Sequence, residues 1–249
     1  MRIISRLDIK GHNLIKGVKF EGLRVLGCPI KSANFYYKEG IDEILCIDTV
    51  ASLYGRNNAV NLVKEISKNV FLPITVCGGI RSVDDGRNII KNGADKIGIN
   101  TAAVENQNLI TELVKEFGSQ SIILSVEAKK ISPSKWEVYT NSGRDRTGLD
   151  VKDWIKKGVK LGAGSVLLTS IDNDGTQKGF DIGLCSEIYK ICEAPLVISG
   201  GMGKIEDIIP IAEQFELSGV AMGSALHYEN LKISKLKKQL LNMGCKIRK

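Results

Sequence analysis

The sequence predicts a (β/α)8 TIM barrel built from two similar half-barrels. Three observations carry this: a chain length suited to one barrel, short apolar runs alternating with amphipathic stretches, and an internal repeat. The chain has 249 residues, 43% of them apolar and 25% charged, enough to bury the core of one α/β barrel. One domain over residues 1–249 is expected, with half-barrels of about 1–120 and 121–249. The expected strands are Arg2 to Leu7, Ile44 to Ile47, Ile74 to Cys77, Lys96 to Ile99, Ser121 to Val126, Val166 to Thr169, Leu196 to Ser199 and Gly219 to Met222. Each is apolar along most of its length, as a strand covered on both faces must be. Helical patterns fall between them at Asn57 to Ser67, Val83 to Asn92, Gln107 to Phe117 and Val151 to Leu161. Alternation of this kind specifies parallel strands joined by crossover helices. Lys135 to Thr140 instead alternates with period two, which predicts a hairpin arm in the loop after the fifth strand.

The repeat emerges at a shift of about 120 residues. Pro73-Ile74-Thr75-Val76-Cys77-Gly78-Gly79-Ile80 falls on Pro195-Leu196-Val197-Ile198-Ser199-Gly200-Gly201-Met202. Ile44 to Ile47 falls on Val166 to Thr169, and Leu7-Asp8-Ile9-Lys10 on Val126-Glu127-Ala128-Lys129. Matches in the same order at nearly one offset are not coincidence, so each half reads as four β/α units.

Composition narrows the function classes. The net charge of +7 gathers partly in lysine runs at Lys235 to Lys238 and Lys246 to Lys249. Only 6% of residues are aromatic, so these runs read as solvated helix faces rather than a nucleic-acid surface, and a polyanionic small ligand stays compatible. The first residues are too short and charged a stretch for a signal peptide and no apolar run could span a bilayer, so no membrane role and a cytoplasmic location are expected. Cys28, Cys46, Cys77, Cys185, Cys192 and Cys245 form no C-x-x-C pair and have two histidines for company; they read as reduced thiols, with neither metal nor cofactor expected.

In a barrel of this kind, residues at the C-terminal ends of the strands face the active site. Gly78-Gly79 and Gly200-Gly201 end the third and seventh strands, where missing side chains let backbone N–H groups approach an anion. Asn100-Thr101 and Gly223-Ser224 follow the fourth and eighth strands and add amide and hydroxyl donors. A lone Gly-Gly would read as a tight turn; its occurrence in both halves points to two phosphate cradles facing each other across the barrel mouth. Asp8 and Glu127 end the first and fifth strands as symmetry mates, placed for general acid–base work on the middle of a two-phosphate ligand. Asp48, Asp172 and Asp174 also stand at strand ends, where loop capping is the simpler reading. Lys16, in the long loop after the first strand, either reaches over the site to an anion or is a solvated lysine.

Arg2-Ile3-Ile4 with Leu7-Asp8, Leu14 to Gly17, Asn100 to Asn106, Phe117 to Gln120 and Leu168 to Asp172 together resemble the HisF family, the cyclase subunits of imidazole glycerol phosphate synthase. The resemblance spans essentially the whole chain. It implies a glutaminase (HisH-like) partner under the barrel and ammonia passing through the barrel to a phosphorylated substrate on top. Asp8 and Glu127 would be the acid–base pair, with Lys16 on a mobile loop. One phosphate would sit at Gly79, Asn100 and Thr101, the other at Asp174, Gly175, Ser199, Gly201, Gly223 and Ser224. At the bottom, Arg2, Glu43 and Lys96 match a charged ring gating ammonia entry, Ser165 stands where an acid is expected, and Asp95 and Gln120 would lie at the partner interface.

Some residues depart from the family pattern. Glu127 replaces an aspartate, and shortening it to aspartate is expected to restore the family geometry and raise turnover. Arg6 stands where a small cysteine is usual, Gly11-His12-Asn13 lacks the Asp-Gly-Arg turn, and the Ala51 to Asn57 loop differs. These departures resemble a paralogous branch that supplies ammonia to a sugar amidotransferase for acetamidino groups on bacterial surface sugars. That reading is placed first, ahead of an authentic cyclase of histidine biosynthesis and of a non-catalytic barrel that binds a phosphorylated metabolite.

Overall fold

The structure is a computed structural model that describes residues 1–51, 59–229 and 231–248. Its strands are β1 (Arg2–Lys10), β2 (Asn13–Val18), β3 (Glu21–Gly27), β4 (Glu43–Asp48), β5 (Ile74–Cys77), β6 (Lys96–Ile99), β7 (Ile122–Ser132), β8 (Lys135–Thr140), β9 (Asp145–Asp150), β10 (Ser165–Ser170), β11 (Leu196–Ser199) and β12 (Gly219–Met222). Eight of them, β1, β4, β5, β6, β7, β10, β11 and β12, pair in parallel in that order, and the β1–β12 pairing closes the barrel. These are the eight strands the apolar runs predict, and four of them have the predicted bounds. The others extend further because ladder pairing continues past the apolar residues.

Two layers of apolar side chains hold the barrel. Inside it, Ile4, Leu45, Cys77, Ile123, Leu167, Val197 and Ala221 form a compact plug. Outside, Ile3, Leu7, Ile44, Ile97 and Val166 pack with the helices in one continuous core. The alternation of Cβ direction along each strand separates the layers. The helix Val83–Lys91 shows how the crossovers are set: Ser82 accepts from the Asp85 N–H at its start, and Asp84 and Asp85 favour the positive end of the helix dipole. Among the described residues, no helix is long and apolar enough to cross a membrane. All six cysteines are free thiols, and burial pushes Cys46 and Cys77 up to about 12.

Two excursions cover the top face. The predicted arm is present: β7 runs on past the barrel and pairs antiparallel with β8, which pairs with β9. The segment expected as a long loop after the first strand is instead a second hairpin, with β2 paired to β1 and β3 to β2. Its turn puts Lys19 and Phe20 at φ 53 and 66, the geometry that two-residue hairpins need and that Asn-Gly normally signals. Lys-Phe carries no such signal, which is why the sequence hides this element.

Candidate functional site

The inner face of β1 carries Ile4, Arg6 and Asp8 at successive inward positions, so the chain climbs from apolar plug to charge within four residues. Arg6 Nε donates to Asp8 Oδ1 at 2.8 Å, and its Nη1 donates to Ser199 Oγ at 3.1 Å and lies 3.3 Å from Asp174 Oδ2. Lys16 Nζ donates to Asp8 Oδ2 and to Asp174 Oδ1, both at 2.7 Å. Two cations and two carboxylates thus close a ring, every side chain of which is at most 7% exposed. The Phe20 ring lies 5.5 Å from the Arg6 guanidinium carbon. Burial alone would raise Asp8, but the Arg6 and Lys16 charges outweigh it and hold the carboxyl well below the usual carboxylate range. Burial likewise opposes the Arg6 charge, and Asp8 and Asp174 more than restore it. Lys16 is therefore no solvated lysine; the β2–β3 hairpin delivers it into the site.

Glu127 stands across the mouth, near the C-terminal end of the barrel portion of β7. Its Oε2 accepts from the Gly143 N–H at 2.8 Å. Gly143 follows Asn141 and Ser142, and all three have positive φ, a run that curls the tip of the arm over the site. Ser142 Oγ donates to the Thr49 carbonyl at 2.7 Å and pins that tip. Burial pushes Glu127 up to about 7, against the opposing pull of the Gly143 N–H and Arg6. The two carboxyl groups thus have widely separated affinities for protons, the pattern that separates acid from base roles in many active sites.

The glycine turns flank this centre. Gly78 and Gly79 have φ of 94 and 75, and Gly200 and Gly201 have 97 and 111. A Cβ on Gly201 would lie 2.0 Å from the Gly179 carbonyl oxygen, so the backbone there admits only glycine. The first turn lines a cavity of about 150 Å³ with Asn100, Thr101, Glu127 and Ser142. Asn100 donates to the Tyr139 carbonyl at 3.1 Å, and Thr101 Oγ1 accepts from the Asn141 N–H at 3.1 Å, so the arm braces this side. The second turn lines a cavity of only about 10 Å³ with Gly175, Ser199, Gly223 and Ser224. It is tight because Gly175 packs against the Gly17 carbonyl of the hairpin and Lys19 N donates to the Asp174 carbonyl at 2.8 Å. Ser224 Oγ is buried without a partner among the described residues, a hydroxyl available to an oxyanion. A central cleft of about 30 Å³ adjoins both, sharing Glu127 and Ser142 with the first cavity and Lys16 and Asp174 with the second.

The remaining strand-end acids do structural work. Asp172 accepts from Lys130 N at 2.8 Å, and Asp48 accepts from Val50 N at 3.1 Å. The alternating periodicity missed Arg6 as a site residue, although it stands two residues before Asp8 on one strand and so shares its face. It gave no hint of Ser142, Gly143 or Arg144, which tertiary contact brings to the mouth. The departure at Ser52 to Asn57 lies outside the described residues.

At the opposite end, Glu43 is the hub. Arg2 bonds its Oε2, Thr75 Oγ1 donates to its Oε1 at 2.7 Å, and Lys96 Nζ stands 3.6 Å away. Ser165, at the start of β10, makes no side-chain contact with Glu43 among those described. Asp95 and Gln120 are exposed nearby; Asp95 also accepts from Ile74 N at 2.8 Å, at the start of β5.

A family described as "Histidine biosynthesis protein" matches residues 2–232. The chain is 55% identical over 207 residues to the imidazole glycerol phosphate synthase subunit HisF of Legionella pneumophila, covering 83% of this chain and 98% of that protein. It is 39% identical over 247 residues to the protein of that name from Streptococcus mutans, covering 99% and 98%. The Bacillus cereus protein of that name is 41% identical over 247 residues, with 99% and 98% covered. An imidazole glycerol phosphate synthase therefore fits these relatives better than the sugar-amidation reading placed first above, to which none of their names refers. With its closed barrel and this degree of identity, the chain belongs to the histidine biosynthesis protein family, as a subunit of the HisF type.

Proposed function

We propose that this chain is the cyclase subunit of an imidazole glycerol phosphate synthase. It would take ammonia from a glutaminase subunit docked under the barrel and combine it with the phosphoribulosyl-formimino carboxamide ribotide. The products would be imidazole glycerol phosphate and aminoimidazole carboxamide ribotide. The observation that carries this is the row across the top face: glycine cradle, Glu127, Asp8 with Lys16, second cradle, each sharing lining residues with the next. A ligand with a phosphate at each end has its reactive middle between the two carboxyl groups. Ammonia adding to the ribulosyl carbonyl carbon forms a C–N bond, and the resulting ammonium proton needs an acceptor. Ionised Glu127 is placed to take it and then to hand it to the departing oxygen, which leaves as water. Gly79, Asn100 and Thr101 would hold one phosphate. Gly175, Gly201, Gly223 and Ser224 would hold the other, with Asp174 and Ser199 reached through Lys16 and Arg6 rather than free to bind directly. Arg2, Glu43 and Lys96 would form the entry for ammonia, with Asp95 and Gln120 toward the partner.

The test is turnover of the ribotide by the purified chain supplied with an ammonium salt, followed by formation of both products. Arg6 in place of a small residue and Glu127 in place of the shorter aspartate favour one second reading: ammonia handed on to a sugar amidotransferase. Absence of ribotide turnover, with sugar amidation restored by adding this chain and a glutaminase to such an enzyme, would select it.

A further inference from the structure

Asp8 and Glu127 occupy matching positions in the two halves of the repeat, yet their surroundings differ in kind. Both oxygens of Asp8 are taken by cations, Oδ1 by Arg6 and Oδ2 by Lys16. The Glu127 carboxyl is held by neutral donors instead, the backbone N–H of Gly143 at 2.8 Å and the Asn100 side chain. Each carboxylate oxygen keeps a second lone pair after one hydrogen bond, but a cation on each oxygen holds Asp8 as the anion, whereas neutral N–H donors leave Glu127 able to take a proton.

Arg6 is itself held from outside the barrel. His227 Nε2 lies 3.0 Å from the Arg6 carbonyl oxygen, which only accepts, so Nε2 carries the proton. Its Nδ1 then accepts from the Tyr36 hydroxyl at 2.8 Å. Burial pushes His227 down to about 4, so the ring stays neutral and this bracing persists through the neutral range.

We infer that Arg6 is a positioning residue that locks Asp8 as a permanent anion, leaving Glu127 as the one carboxyl group at the mouth that gains and loses a proton during turnover. This deepens the acid–base reading of the top face and rests on it. The charged groups that line the two cavities with Glu127 are Arg6 and Asp8 on β1, Lys16 on the hairpin, Asp48 at the end of β4, Arg81 after the first glycine turn, Glu105, Arg144 at the arm and Asp174. The nearby Cys77 thiol, pushed up to about 12 by burial, stays neutral throughout. Arg6 lowers the proton affinity of Glu127 as well as that of Asp8, so one guanidinium tunes both carboxyl groups.

The experiment is a pH titration of the side-chain carboxyl carbons by NMR on the full chain, with Glu127→Gln and Asp8→Asn used to assign the two signals. It needs no turnover, so its outcome is separate from whether the ribotide is the substrate. In the unaltered protein, Glu127 is expected to titrate near 7 while Asp8 stays ionised to the lowest pH at which the barrel remains folded. In Arg6→Gln, both midpoints should move to higher pH, and Arg6→Lys should move them back. An Asp8 that titrates in the neutral range, or a Glu127 that titrates below 5, would overturn the inference. So would a folded Arg6→Gln protein with unmoved midpoints. If Arg6→Gln fails to fold, the titration of the unaltered protein and of Arg6→Lys decides alone: both must show Glu127 near neutrality and Asp8 far below it.

Discussion

The two ends of the barrel lumen each carry a charged cluster, built on different plans. At the bottom, one carboxylate, Glu43, serves two cations, and the Arg2 and Lys96 side chains keep 22% and 23% of their exposure. At the top, two carboxylates and two cations alternate in a ring whose members are 3–7% exposed. Between them lies the apolar plug around Ile4 and Leu167. A buried ring tolerates no missing member, because a charge left alone in a low dielectric is costly, whereas a cluster at a rim can draw on water. The Arg2 and Lys96 contacts at the bottom therefore cost less to break than a contact of the top ring.

The sharpest way to break the comparison is Lys16→Met. It leaves Asp8 and Asp174 sharing Arg6 alone, and removing one partner of a buried pair costs about 3–5 kcal/mol. Chemical denaturation should register that loss, with ammonia-dependent turnover falling as well. A loss under 1 kcal/mol would mean the top ring is as solvated as the bottom.

Glu127 supplies the next test. Its proton affinity in the folded state lies above the ordinary value of 4.5, so folding favours the protonated form. That contribution is fully present below about pH 4.5 and is lost as pH rises through about 7. Glu127→Gln should therefore be more stable than the unaltered protein at pH 8, by about 3 kcal/mol, and indistinguishable from it at pH 4. Denaturant midpoints at the two pH values check the sign; an equal change at both would remove the titration argument. The structure also reverses the expectation for Glu127→Asp. The longer side chain reaches the Gly143 N–H, and withdrawing it by about 1 Å breaks that bond, so turnover should drop on the order of 10- to 100-fold rather than rise.

Smaller effects belong to the bottom. Glu43→Gln leaves Arg2 and Lys96 without their anion but within reach of water, and should cost about 1–2 kcal/mol. Lys96→Met removes only a 3.6 Å contact and should cost under about 1 kcal/mol, a value set by thermal denaturation of the barrel alone. If ammonia enters here, the ratio of glutamine hydrolysed to product formed should nevertheless rise in that variant, with ammonia-dependent turnover nearly intact.

Strand positions, their parallel order, the glycine turns and the inward placement of Asp8 and Glu127 were legible in the residues, because periodicity and backbone freedom are local properties. The β2–β3 hairpin was not, since its Lys19-Phe20 turn is held by pairing with β1 and by the Asp174 contact rather than by turn-forming residues. Arg6 marked a departure in sequence, but its role depended on which carboxylates lie within 3–4 Å of it, and Asp174 lies 168 positions away along the chain. Likewise the choice between Glu127 as anion and Glu127 as acid depends on burial under the arm and on the Gly143 N–H, neither of which any local pattern encodes. The sequence by itself determined the barrel and the residue types at its mouth, since both follow from short-range pattern. Only the tertiary structure decided which charges neutralise each other, because electrostatic partnership in a low dielectric is a matter of distance through space rather than along the chain.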